Sequence, residues 1–423
     1  INVHHVAFDG GSTGVLLEEL GALYRALSAG GTVADAEVPA LPVQYVDYAL
    51  WQRGAALEAH LASGCEYWRA QLREGALSVL ELPTDLPRPA QQTFRGASVG
   101  VALPVEVSAR LSAVGGTHGC TLYQAVLGVW ALVLCRHAGQ EEVVIGSPYH
   151  GRDVAGSEGL IGYLVNVLAL RLEVARGGTV EALLRHAHTT ATDGMRHAAV
   201  AFQRIVDELL PRRVHDASRN AVFQAMLGWE EDSGGGGGAE ADGLGEAVRM
   251  ESVSLGESGV AKCDMTLSVG LGASGAIEGD IEFNTDLFER SSVERLSARM
   301  GVLVSALVEA APATDVWSLR LLPAAEETQV LRAFNDTAAE YPRELCIHDL
   351  VGAQVARSPE AAAVEWRGAT LTYAELWAAS GRVAAWLCAH GVVADSVVRW
   401  TATSNQRLIC LALLEPMAEL VIS

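Results

Sequence analysis

The chain has 423 residues, half of them hydrophobic and 19% charged, with a formal net charge of −21. At roughly 100–200 residues per domain this length implies about two to four structural units, and the apolar fraction excludes a wholly disordered chain. The acidic excess, uninterrupted by any basic cluster, repels phosphate backbones, so no nucleic-acid partner is expected.

The longest apolar run, Leu122 to Cys135, is broken by Gln124 and falls short of the roughly 20 residues that cross a bilayer, so no membrane partner is expected. Seven cysteines, an odd number without a C-x-x-C pair, read as reduced thiols of a cytoplasmic protein. No metal site is expected, because His4, His5, His137, His150, His186 and His188 show no ligand spacing tied to a carboxylate or cysteine set. The chain opens on Ile1 with no signal-peptide pattern, and reads as lacking an upstream segment.

In chain order, the loop His4 to Gly11 leads into a helix whose apolar positions Val15, Leu16, Leu20, Leu23 and Leu27 recur at helical spacing, with Ser12 as the expected N-cap. Tyr45 to Glu58 and Cys65 to Leu72 read as helices, and the prolines of Leu82 to Pro89 force an extended crossing. Pro104 to Gly115 and Thr121 to His137 are expected helices, the second apolar nearly all round and therefore buried. Val143 to Ser147, Ile161 to Leu172, Ala221 to Trp229 and Met265 to Phe283 read as strands, with helices over Val180 to Leu210 and Ser291 to Ala310. The glycine run within Ser233 to Gly238 predicts a surface loop. Composition shifts at Leu321-Leu322-Pro323, and a linker with one short helix is expected. A helix–strand–strand–helix pattern then runs from Leu345 to His390, too small to complete a typical domain. Thr401 to Ser423 shows no convincing periodicity.

The string His4-His5-Val6-Ala7-Phe8-Asp9-Gly10 offers an imidazole that can face a cleft, an acid that a buried cation can hold, and a glycine that permits close backbone approach. Alone it is weak, and core histidines beside a turn would account for it. The string nevertheless resembles the HHxxxDG signature of nonribosomal peptide synthetase condensation domains, and further matches follow in that family's order. Tyr45 to Arg53 resembles YxDYAxWQ, Leu82 to Asp85 resembles the start of LPTDRPRP, and Ile161 to Asn166 resembles IGxFVN. His215 to Asn220 resembles RDxSRN with His215 in place of arginine, and His197 to Phe202 only faintly resembles HQDxPFE. Phe334 to Thr337 with Tyr341-Pro342 looks like the junction after such domains. Leu371 to Leu376 is similar to the first core motif of adenylation domains.

The resemblance covers residues 1 to about 400 and implies an α/β fold. Residues 1–320 would be a chloramphenicol-acetyltransferase-like condensation domain, mostly its C-terminal lobe, 321–344 a linker, and 345–423 the truncated α/β start of an adenylation domain. It implies amide formation between a donor aminoacyl or peptidyl thioester and an acceptor aminoacyl thioester, each on the phosphopantetheine of a carrier domain. Upstream and downstream carrier domains and the rest of the synthetase are the implied partners. No cofactor would be bound by this chain, and ATP would serve only a complete adenylation domain. His5 would be the catalytic group on the acceptor amine; Asp9 would pair with Arg152; His4, Gly10, Arg219 and Asn220 would support the site. An epimerization domain shares the signature but fits the adenylation start less well. The non-enzymatic alternative is an inert fragment or a carrier-protein platform. Lacking most of one lobe and any phosphate loop, the chain by itself is expected to be inefficient in condensation and inactive in ATP-dependent activation.

Overall fold

The computed structural model describes residues 2–72, 78–209, 216–230, 258–366 and 368–393. The Ser233 to Gly238 glycine run, His215 and Thr401 to Ser423 lie outside the described residues. The chain divides into two compact units, Ile1–Gln329 and Val330–Ser423.

The first unit is organised around a six-stranded mixed sheet of order β1-β6-β5-β4-β2-β3. Its strands are β1 Gly96–Leu103, β2 Glu142–Tyr149, β3 Asn166–Glu173, β4 Ala225–Glu230, β5 Met265–Leu271 and β6 Ile277–Asn284. β4 runs parallel to both neighbours, and the other pairings are antiparallel. In β1, Val99, Val101 and Leu103 are buried while Gly100 and Ala102 face out, the period-2 pattern of a strand with one solvated face.

The core helix is α5, Leu122–Ala138, buried from Gln124 through Cys135. The Thr121 hydroxyl accepts from the Gln124 amide and the Gln124 side chain accepts from the Thr121 amide, a capping box. Gly139 closes the helix at φ 68°, a left-handed conformation that glycine adopts without steric cost. With no solvent-facing side, α5 needs apolar cover all round. The sheet supplies part of it, and α4 Val105–Thr117, α6 Val180–Arg196 and α8 Arg290–Glu309 supply the rest.

Four expectations need correction. α1 spans Gly10–Ser28 and is capped by Asp9 rather than Ser12, which sits at N3 and completes the capping box. The Tyr45 to Glu58 helix stops early, giving α2 Tyr45–Gln52 and α3 Ala55–Gln71. Residues 161–165 are not strand, because several of their backbone groups bond Asp9 and Ser12 instead of a neighbouring strand. The boundary falls at Gln329, inside the expected linker but within its short helix, α9 Ala324–Leu331. The start of that helix is tied to α8 by the Arg299–Glu326 ion pair, with Arg299 Nε 3.0 Å from the carboxylate.

The second unit contains α10 Ile347–Arg357, a β7 Ala362–Trp366 and β8 Ala369–Thr372 hairpin, and α11 Tyr373–Ala389. Thr372 and Glu375 form the capping box that starts α11. Among the described residues no single helix is long and apolar enough to cross a membrane.

Candidate active site

Antiparallel β2 and β3 pair with Tyr149 opposite Asn166, so the connection between them, residues 150–165, returns to the sheet end it left. Gly151 stands at φ 67°, and a Cβ there would lie 2.0 Å from the Leu164 carbonyl oxygen. Only glycine lets the chain turn there against its own return. That turn delivers Arg152 from one limb and Tyr163 to Val165 from the other to the loop preceding α1.

Asp9 is where they meet. Its side chain is 1% exposed and that of Arg152 13%, and the guanidinium binds both carboxylate oxygens, at 2.7 and 3.1 Å. Oδ1 also accepts from the Ser12 amide at 2.9 Å and the Ser12 hydroxyl at 2.8 Å. Oδ2 accepts from the amides of Leu164 at 2.9 Å and Val165 at 3.2 Å. Burial alone would raise the Asp9 pKa, but the bonds from Arg152, Leu164 and Ser12 outweigh it and hold the group at about 2. With both oxygens fully engaged, Asp9 has no free acceptor site for a substrate proton and is a structural anion.

Ser12 extends this knot. Its Oγ accepts from the Gly162 amide and from Arg152 Nη2, each at 3.1 Å. Gly11 is the position of close approach, since a Cβ there would lie 2.3 Å from Arg152 Nη1, whereas one at Gly10 would meet nothing within 4 Å. The role expected of Gly10 therefore belongs to its neighbour. Sequence reading misses Gly11, Ser12 as a knot member and the 162–165 amides, because the partners are about 150 residues away and are backbone groups.

His5 begins a 3-10 turn, His5–Ala7, and is exposed. Its Nδ1 lies 2.6 Å from the Phe8 carbonyl oxygen. A carbonyl only accepts, so Nδ1 carries the proton and the neutral ring keeps its lone pair on Nε2. His4 uses Nδ1 oppositely, accepting from the Val6 amide at 3.1 Å. It caps the turn from an exposed position rather than packing in the core. The His5 ring stands nearly perpendicular to Tyr163, at 80° with centroids 5.3 Å apart.

Tyr163 lines a cleft of about 650 Å³. One wall is the aromatic row Tyr45, Tyr48 and Trp51 of α2, with successive ring centroids 6.2 and 5.7 Å apart. Tyr149 lines it too and donates its hydroxyl to Asp153 at 2.5 Å; burial, then this bond, pushes the phenol pKa upward. At the far side Asn166 binds the carbonyls of Ala198 and Val200, both at 2.8 Å, and accepts from the Phe202 amide at 3.0 Å. An apolar, largely aromatic cleft with few polar groups suits a slender acyl chain.

Arg219 and Asn220 are not part of this arrangement. Arg219 pairs with Glu81 and Asp216, and the Asn220 side chain accepts from the Val222 amide at 3.0 Å, shaping the entry to β4. Neither lines the cleft. The expectation that no histidine has metal-ligand spacing also needs amending. Cys346, His348 and Asp349, at the start of α10, place potential ligand atoms within 4.8 Å of one another. Asp349 already accepts from the Cys346 amide at 3.0 Å, as the cap of that helix.

The Condensation domain family model matches residues 1–331. The chain belongs to the condensation-domain family. Condensation domains of peptide synthetases are amide-forming acyltransferases. This condensation domain is 34% identical over 402 residues to a linear gramicidin synthase of Brevibacillus parabrevis, covering 94% of this chain and 5% of that protein. It is 35% identical over 403 residues to malpinin synthetase of Mortierella alpina, again covering 94% and 5%. The chain thus spans less than a tenth of either relative. A four-domain nonribosomal peptide synthetase crystallised with AMP and glycine superposes with a TM-score of 0.68 at 24% identity, over 93% of this chain and 30% of that one. At that identity the likeness concerns the fold.

Proposed function

We propose that this chain is the condensing part of a nonribosomal peptide synthetase, joining a donor aminoacyl or peptidyl thioester to the amine of an acceptor aminoacyl thioester. The observation that carries the proposal is His5, whose Nδ1–H is committed to the Phe8 carbonyl. Its Nε2 is thereby left as the acceptor beside an apolar cleft, in a loop reading His4-His5-Val6-Ala7-Phe8-Asp9-Gly10.

A thioester is already activated, so the remaining tasks are alignment and one proton. Alignment supplies up to ~7–11 kcal/mol of the barrier and a general base roughly 10²–10⁴-fold in rate. The aromatic wall of α2 and the 162–165 strap guide the acyl arms. Nε2 of His5 accepts a hydrogen bond from the attacking amine, then its proton. Asp9 and Arg152 take no part in proton transfer; they hold the His loop to the β2–β3 connection. Both substrates arrive on phosphopantetheine arms of carrier domains, which are the partners of this reading. The second unit, with its capping box at Thr372-Tyr373-Ala374-Glu375, is read as the start of an adenylation domain.

Placed within a complete synthetase module and supplied with donor-loaded and acceptor-loaded carriers, the chain should give the condensed product on the acceptor carrier, read by intact-protein mass spectrometry. Binding of both carriers with no new amide at any time would favour a carrier-docking platform instead.

A further inference from the structure

The Asp9 knot holds the ends of the His loop, yet His5 itself is exposed and is fixed by one hydrogen bond at Nδ1. A ring pinned at one atom can still swing about that bond. We propose that Tyr163 is the positioning residue of His5, its ring blocking that swing so that Nε2 keeps one direction beside the cleft. The proposal rests on the reading of His5 as the group that meets the acceptor amine.

The two rings stand at 80° with centroids 5.3 Å apart, within the range of favourable perpendicular aromatic pairs. Tyr163 is itself held along its backbone. Its carbonyl accepts from the Tyr45 hydroxyl at 2.9 Å. On one side Gly162 binds Ser12, and on the other the amides of Leu164 and Val165 bind Asp9. The carboxylate that caps the His-loop helix is therefore the same one that fixes the strap bearing Tyr163, so one anion sets both rings. Among the described residues the Tyr163 phenol O–H has no hydrogen-bond partner, which places the effect in the ring and not in the hydroxyl. A strap held at three consecutive residues around an exposed tyrosine, 44% accessible, is more fixation than a surface aromatic needs for packing.

The test is spectroscopic first. With ¹³C-labelled histidine, the His5 Cε1–H resonance is identified by its loss in His5→Ala. The ring-current displacement of that resonance should persist in Tyr163→Phe and disappear in Tyr163→Leu. Tyr45→Phe removes only the bond to the Tyr163 carbonyl and should give a smaller change of the same sign. It serves as the second variant if Tyr163→Leu fails to fold. In a complete module Tyr163→Leu should lower kcat about three- to tenfold with little change in KM. An inactive His5→Ala beside a Tyr163→Leu of wild-type resonance and rate would overturn the positioning role alone. A Tyr163→Phe as displaced as Tyr163→Leu would overturn it as well. Full activity in His5→Ala would overturn the assignment of His5 and the positioning role with it.

Discussion

At the scale of single residues the site separates an anion that never moves a proton from an imidazole that can. Asp9 is buried and fully engaged, so removing its charge leaves Arg152 uncompensated; Asp9→Asn should cost about 3–5 kcal/mol, measured by urea denaturation. Because the folded carboxyl sits at about 2, below its ordinary 3.8, its stabilisation is complete above about pH 4 and is lost as pH falls through about 2. Stability of Asp9→Asn should accordingly fall less steeply than wild type across that window; parallel acid limbs would remove Asp9 from the account. Two adjacent glycines give a sharper contrast. Gly11→Ala should displace the Arg152 guanidinium and cost about 1–3 kcal/mol, while Gly10→Ala should change stability by about 0.5 kcal/mol or less, both read from urea midpoints.

At the scale of elements, motifs that look catalytic by residue type are partly fasteners. Asp85 accepts from the Glu289 amide at 2.9 Å and the Ser292 hydroxyl at 2.7 Å, capping α8 from a distant strap, and Arg88 binds Asp264 at the start of β5. Asp85→Ala should therefore lower stability by about 0.5–2 kcal/mol through the lost cap, with no change in the resonance of His5. The core helices α5 and α8 are legible from apolar periodicity and caps alone. β1 is not, although Val99, Val101 and Leu103 alternate, because glycine and alanine on the outer face weaken the contrast. Residues 161–165 mislead because an apolar run does not distinguish a ladder strand from a strap whose amides bond side chains. Motif alone assigns Arg219 and Asn220 to a site whose geometry they do not join; spacing in sequence carries no information on which face of a turn a side chain takes.

At the scale of the whole molecule, the first unit carries one continuous core from Leu57 to Leu319, and everything the site needs lies in that unit. The His loop, the β2–β3 connection and α2 converge because β2 and β3 are antiparallel and their connection returns to its starting edge. That convergence is legible only through the family resemblance, since nothing local in Asp9 or Arg152 announces a partner 143 residues away. The central claim is that this convergence serves amide formation at His5. It is tested most directly by the amount of amide product formed on the acceptor carrier by a complete module bearing His5→Ala, compared with wild type under single-turnover conditions and with unfolding midpoints matched. A loss of roughly 10²-fold or more with unchanged stability is the predicted result; wild-type product from His5→Ala would contradict it.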